Sequence, residues 1–227
     1  MAKYVMEFSK TGTICYTSHL DVMRMFKRIF KRAGIPLAYS QGFNPHPKMG
    51  FAQPLSLGYE ATEEYIEFET QTDWDPNELY ERVKAIMADG IDMKYCKPLN
   101  ENIHKSLSAL TEAALYTVSV PLNGQTVDDP QKLADDYLAQ EKIITLKKQK
   151  KKKEQKEVDI KGMIRRLNFS AKGDTLTMRM LLDQGSTSNL SPELVIATVL
   201  PFAGLDTDRS EISVTRDKII FVDGVEI

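Results

Sequence analysis

Two of the three histidines lie close in sequence to cationic side chains, a combination that can act on phosphate groups. His19 stands at the start of a basic helical pattern, and His46 lies in a proline-rich segment. Two imidazoles can cleave a phosphodiester by general acid–base catalysis without a metal ion. They can equally contact phosphate without chemistry, serve the fold alone, or join Asp21 as metal ligands. All four interpretations remain open, and binding without catalysis is the leading one.

A capped, basic helix is predicted from residue 18 to residue 34. The Ser18 hydroxyl can accept from the first free backbone N–H groups, and Asp21 follows three residues later as in a capping box. Residues at three- and four-residue steps predict one buried face, made of Leu20, Met23, Phe26, Ile29, Phe30 and Ala33. We expect the opposite face to contact nucleic acid through Arg24, Arg28, Lys31 and Arg32.

The loop after this helix, residues 42–48, reads GFNPHPK. Its two prolines fix their own φ angles and push the preceding residues toward extended conformations. Binding residues are common on loops that a rigid scaffold positions. We therefore predict nucleic-acid contacts from Phe43, Asn44 and Lys48. The alternative is a stiff surface turn whose Phe43 fills the core.

Two further segments are candidates for binding anions. A polar loop precedes a helix predicted to begin at Ser191-Pro192, and phosphate binds readily at such helix starts; its residues are Gly185, Ser186, Thr187, Ser188 and Asn189. A capped turn without a ligand explains that loop equally well. The lysine tract 147–156, with Lys150, Lys151 and Lys152, can add salt-dependent affinity for RNA by releasing counterions. It can also be a solvated hairpin tip.

Composition indicates a globular protein whose charges are unevenly distributed. The 227 residues are 42% hydrophobic and carry a formal net charge of −2, so overall charge does not indicate nucleic-acid binding. The basic helix and the lysine tract nevertheless stand out from an otherwise acidic chain, which suggests a face for a polyanion. Two distant cysteines and no long apolar run lead us to expect a cytoplasmic protein with no cofactor and no membrane partner.

The predicted element order indicates an α+β fold. Strand, helix, strand, strand, helix and strand follow one another over roughly the first 100 residues, which is a ferredoxin-like βαββαβ plan. The remainder also interleaves two helices with strands, ending in a hairpin of strands 212–215 and 218–221. We therefore predict tandem ferredoxin-like domains with antiparallel sheets, at residues 1–100 and 112–227.

The motifs SHLD and GFNPHPK, with the surrounding YSQGFNPHPKMGFAQPLSLG, resemble a bacterial family of unknown function called radical-SAM-linked proteins. Its members occur fused to, or encoded beside, a cobalamin-binding type of radical SAM protein. A radical SAM enzyme needs three clustered cysteines for its iron–sulfur cluster, and this chain has two cysteines in all.

The resemblance therefore implies a companion and not the radical enzyme itself. We expect an RNA-binding protein that recruits tRNA or rRNA for a radical SAM partner in another chain. One alternative is a metal-independent endoribonuclease using His19 and His46. Another is an interaction module that binds only the radical SAM partner.

Overall fold

The chain folds as an α+β protein, as predicted. The structure is a computed structural model that describes residues 2–100, 102–148, 155–222, 225 and 227. Two compact units are present: Met1–Glu112 together with Arg216–Ile227, and Ala113–Thr215. The C-terminal residues thus belong to the first unit, which the sequence did not indicate.

The first unit is built on a sheet with the strand order β4-β1-β3-β10, and β2 also pairs with β3. The β1–β3, β1–β4 and β2–β3 pairs are antiparallel. The elements are β1 (Lys3–Lys10), α1 (His19–Arg32), β2 (Met49–Phe51), β3 (Glu60–Glu69), α2 (Pro76–Lys84), β4 (Ile91–Pro98), α3 (Leu107–Leu110) and, after the second unit's residues, β10 (Ser213–Phe221).

Helix α1 begins and ends where its local sequence requires. The Ser18 hydroxyl accepts a hydrogen bond from the Asp21 backbone N–H at 3.2 Å and donates one to the Asp21 carboxylate at 2.7 Å. Gly34 follows the helix with φ +71°, a left-handed conformation that favours glycine. Phe26 and Phe30 are buried, with Phe30 4.6 Å from Phe68 between ring centroids. Leu20 was wrongly placed on the buried face, because its side chain in the first turn is exposed.

Helix α2 is shorter than the predicted helix, which ran to about Asp89. Asp75 caps its start, with its carboxylate accepting from the N–H groups of Asn77 and Glu78. The helix ends at Lys84, and the chain then turns toward β4 through Gly90 at φ +85°. A Cβ atom at Gly90 would lie 2.5 Å from the Thr11 carbonyl oxygen, so this turn requires glycine.

The second unit has antiparallel strands in the order β5-β9-β8 and a separate antiparallel hairpin, β6-β7. Asp129 and Ser191 cap its two helices, as their Asp-Pro and Ser-Pro pairs predicted. Its elements are β5 (Thr111–Pro121), α4 (Pro130–Ala139), β6 (Ile144–Lys148), β7 (Gln155–Asp159), β8 (Ile164–Lys172), β9 (Thr175–Asp183) and α5 (Pro192–Ala203).

Two sequence-based expectations for strands are corrected. The predicted hairpin over residues 212–221 is one continuous strand, β10, because Arg216 at the expected turn is a buried strand residue. Strand β8 was not predicted, since polar residues surround its two buried residues, Leu167 and Phe169.

Candidate functional site

The GFNPHPK segment forms a loop that is closed at its base and projects at its tip. The backbone N–H of Ser40 donates to the His46 carbonyl at 2.8 Å, and the His46 N–H donates to the Ser40 hydroxyl at 3.0 Å. At the tip, Gly42 has φ +130°, which a residue with a side chain rarely adopts. Phe43 follows it and is fully exposed, at 108% of its reference area. Phe43 therefore does not fill the core.

Other residues of this loop differ in their availability. Asn44 and His46 are exposed beside Phe43. Lys48 instead forms an ion pair with Glu69, with Nζ 2.6 Å from Oε2, and Lys3 lies 3.7 Å from the same carboxylate. Lys48 is therefore held against Glu69 and shares that carboxylate with Lys3. Lys48 and Glu69 also line an open cleft of about 420 Å³ beside β2.

His19 occupies a different, partly enclosed environment at the start of α1. Its ring packs edge-on against Phe51, with centroids 5.3 Å apart. Together with Lys10 and Glu64, it lines a small apolar cavity. Burial lowers the pKa of His19, and the positive charges of Arg216 and Lys10 lower it further. The imidazole is therefore neutral at neutral pH and available as a base.

A buried ion pair that was not predicted from the sequence lies beside His19. The Arg216 guanidinium donates two hydrogen bonds of 2.6 Å to the two carboxylate oxygens of Glu64. It also donates to the carbonyl oxygens of Gln53 and Pro54, each at 3.1 Å. The alternation of Val214 and Arg216 in β10 was the available signal, since it places the arginine on an inward position.

The two predicted catalytic histidines are not joined into a relay. Within the described ranges, no hydrogen bond links the side chains of His19 and His46. Asp21, the third member of the possible metal set, is engaged by Ser18 and Arg24, whose hydrogen bonds lower the pKa of its carboxyl group. Over the same ranges, no group of three or more histidine, cysteine or carboxylate side chains is arranged to hold a metal ion.

The cations of α1 divide into paired and unpaired residues. Arg24 contacts Asp21, with Nη1 2.7 Å from Oδ1. Arg28, Lys31 and Arg32 are exposed, and none has a carboxylate within ion-pair distance in the described part of the chain. Arg28 and Arg32 also line an open cavity of about 400 Å³ together with residues that follow α2.

The polar loop before α5 folds onto itself. The Gly185 N–H donates to the Ser188 carbonyl at 2.8 Å, and Gln184 and Asn189 form an isolated bridge. Ser186 and Thr187 are exposed at its end. The start of α5 is already capped by Ser191, whose hydroxyl accepts from the Glu193 N–H at 3.3 Å. Anion binding by this loop stays a prediction.

The structure adds little about the lysine tract, the cysteines and the question of a membrane span. Lys150, Lys151 and Lys152 lie outside the described residues. Both cysteines are free thiols, and burial raises the pKa of Cys96 to about 12, which keeps it protonated at neutral pH. Of the helices that can be described, none is both long and apolar enough to span a bilayer.

The chain is therefore an α+β protein with a surface site on the GFNPHPK loop, which is hydrogen-bonded at its base and exposes Phe43 at its tip. The chain belongs to the family described as an uncharacterized protein conserved in bacteria (DUF2344), which matches residues 3–192. No curated protein matches the chain. A crystal structure of an unknown protein from Galdieria sulphuraria is similar at 11% identity, over 96% of this chain and 98% of that chain, with a TM-score of 0.27. So low a TM-score supports no structural argument.

Proposed function

We propose that this chain binds RNA and recruits it for a radical SAM modification enzyme supplied by another chain. The observation that carries the proposal is the full exposure of Phe43 at the tip of a hydrogen-bonded loop. A large apolar ring held in water on a rigid support gains by stacking on a ligand. Stacking of a nucleic-acid base on an aromatic side chain contributes about 1–3 kcal/mol per base.

The surrounding chemistry supports RNA as the ligand. Asn44, next to Phe43, offers an exposed amide that can donate to and accept from base edges. Three cations of α1, Arg28, Lys31 and Arg32, have no carboxylate partner in the described residues and are free for phosphate. Unpaired cations contribute affinity for phosphate without choosing a sequence.

The link to a radical SAM enzyme is supported by the resemblance of the SHLD and GFNPHPK motifs to radical-SAM-linked proteins. A tandem ferredoxin-like architecture belongs to the same proposal. The order β4-β1-β3, with β2 also on β3, supports it for the first unit. Many RNA-binding domains have this plan, although a shared fold alone does not determine function.

The test is a titration of fluorescently labelled tRNA and rRNA fragments, followed by anisotropy at about 50 and about 200 mM salt. We expect binding at low salt that weakens at higher salt. Phe43→Ala should weaken binding about 5- to 150-fold, the range for loss of one stacked base. Leu57→Ala, which also shortens an exposed apolar side chain, is the matched control and should bind like the wild type.

Absence of RNA binding at low salt would refute the proposal. If the chain does not bind RNA but co-purifies with a radical SAM protein even after nuclease treatment, an interaction module is favoured instead. The endoribonuclease alternative, in which His19 and His46 act on the RNA, predicts cleavage and is tested in the same experiment. The same titration mixtures, run on a denaturing gel, should contain intact RNA.

A further inference from the structure

The open cavity of about 400 Å³ beside α1 combines an apolar floor with a cationic rim. Its volume falls within the roughly 300–1,000 Å³ typical of small-molecule sites. Helix α1 contributes one side, and the residues between α2 and β4 contribute the other. The floor is formed by Met25, Ile29, Ile86 and Met87, and the rim carries Arg28 and Arg32.

The two rim arginines are available to a ligand, unlike most arginines of this chain. Arginines with a carboxylate partner are Arg24, Arg82, Arg165, Arg209 and Arg216. In the described residues, neither Arg28 nor Arg32 has one. The Arg28 Nε donates weakly, at 3.4 Å, to the Arg24 carbonyl, which leaves its terminal nitrogens unused. Two exposed guanidinium groups at one cavity, neither with a carboxylate partner in the described residues, can bind an anion there.

Their spacing suits a single phosphate. Arg28 and Arg32 are four residues apart on α1, so they lie on one face with Cβ atoms about 5–6 Å apart. Guanidinium groups match phosphate oxygens with paired, charge-assisted hydrogen bonds.

The floor suits a flat aromatic ring. Met25 and Met87 contribute flexible, polarizable thioethers, which make favourable contacts with aromatic rings. Ile29 and Ile86 complete an apolar surface. A ligand with a flat ring and an attached phosphate satisfies both parts of the cavity, and a nucleotide has this arrangement.

We propose that this cavity binds one unpaired nucleotide, with its phosphate between Arg28 and Arg32 and its base on the methionine and isoleucine floor. This inference rests on the proposed function, in which the bound nucleotide is part of an RNA. A base inside a duplex cannot reach the floor, so the site selects RNA with an unpaired residue. It is a second contact, separate from stacking on Phe43.

The first experiment tests the cavity itself with free AMP. In protein with ¹³C-methyl methionine, AMP should shift the methyl signals of Met25 and Met87. Adenosine and inorganic phosphate, each offering half of the ligand, should bind at least about tenfold more weakly. The double variant Arg28→Gln/Arg32→Gln should abolish the AMP shifts, whereas Lys94→Gln on β4 should not. Circular dichroism melting checks that both variants fold.

The second experiment distinguishes the sources of the nucleotide. In the Phe43→Ala background, which lacks the other stacking contact, a labelled single-stranded RNA should bind at least about tenfold more tightly than a duplex of the same sequence, and adding the double arginine change should remove that preference. AMP shifts without any RNA binding would retain the cavity and refute the proposed function. RNA binding without AMP shifts, and with no single-strand preference, would overturn the cavity proposal alone. Methionine shifts with a Glu/Leu amphipathic peptide but not with AMP would overturn it in favour of a protein segment.

Discussion

Replacing Arg216 by methionine removes one partner of an ion pair that is almost completely buried. The Arg216 and Glu64 side chains are 1% and 3% exposed. The change deletes two hydrogen bonds of 2.6 Å to Glu64 and two of 3.1 Å to the carbonyls of Gln53 and Pro54. Leaving one charge of a buried pair without its partner costs about 3–5 kcal/mol. At about 2–4 °C per kcal/mol for a chain of this size, the melting midpoint should fall by about 6–20 °C.

A double-mutant cycle measured by urea denaturation separates the pair from simple packing. Glu64→Leu alone should be as damaging as Arg216→Met, because it leaves a buried guanidinium unpaired. The double variant, with two apolar side chains, should be about 2 kcal/mol or more stable than the sum of the single losses predicts. Single losses below about 1 kcal/mol, or losses that simply add, would refute the buried-pair reasoning.

Three further predictions concern stability. Gly90→Ala should cost more than about 2 kcal/mol in a urea melt, because its Cβ would lie 2.5 Å from the Thr11 carbonyl, whereas Gly12→Ala, at φ +71° with open space, should cost only about 1–2 kcal/mol. His19 has a lowered pKa, so its contribution to stability is present above pH 6.5 and is lost as the pH falls through the folded-state value; His19→Gln should flatten that part of the pH–stability curve. Burial raises the pKa of Glu63, and its Oε1 has no hydrogen-bond partner in the described structure. Glu63→Gln should therefore raise the melting temperature at pH 7, and this gain should vanish below pH 4.5.

The sequence predicted the elements whose ends depend on neighbouring residues. Ser18, Asp75, Asp129 and Ser191 cap helices where the sequence placed them, because a cap needs only a side-chain oxygen within three residues of a free N–H. The α+β class was also predicted correctly, because helix and strand periodicities are local patterns as well. The tandem ferredoxin-like arrangement depends on which strands pair, and it stays a proposal.

Features that depend on distant residues were not predictable in the same way. Arg216 lies 152 residues from Glu64, and no local pattern links them, so a turn was predicted where a strand continues. In the site, Lys48 was predicted to contact nucleic acid, and its ion pair with Glu69 on β3 could not be read from the local sequence. The full exposure of Phe43 was likewise undecided, since an aromatic residue in a loop can fill the core or face solvent.

The Arg216–Glu64 pair can form only after the 152 residues that follow Glu64 have been synthesised. A ribosome adds about 5–20 residues per second, so the 152 residues between the two partners take roughly 8–30 s to appear. During that interval the nascent first unit holds a carboxylate that its core cannot bury without a countercharge. The final packing of the first unit is therefore a late event, because Ala113–Thr215 is synthesised in full before Arg216. In nascent chains stalled before Arg216, proteases should consequently cleave the first unit more readily than in the completed protein.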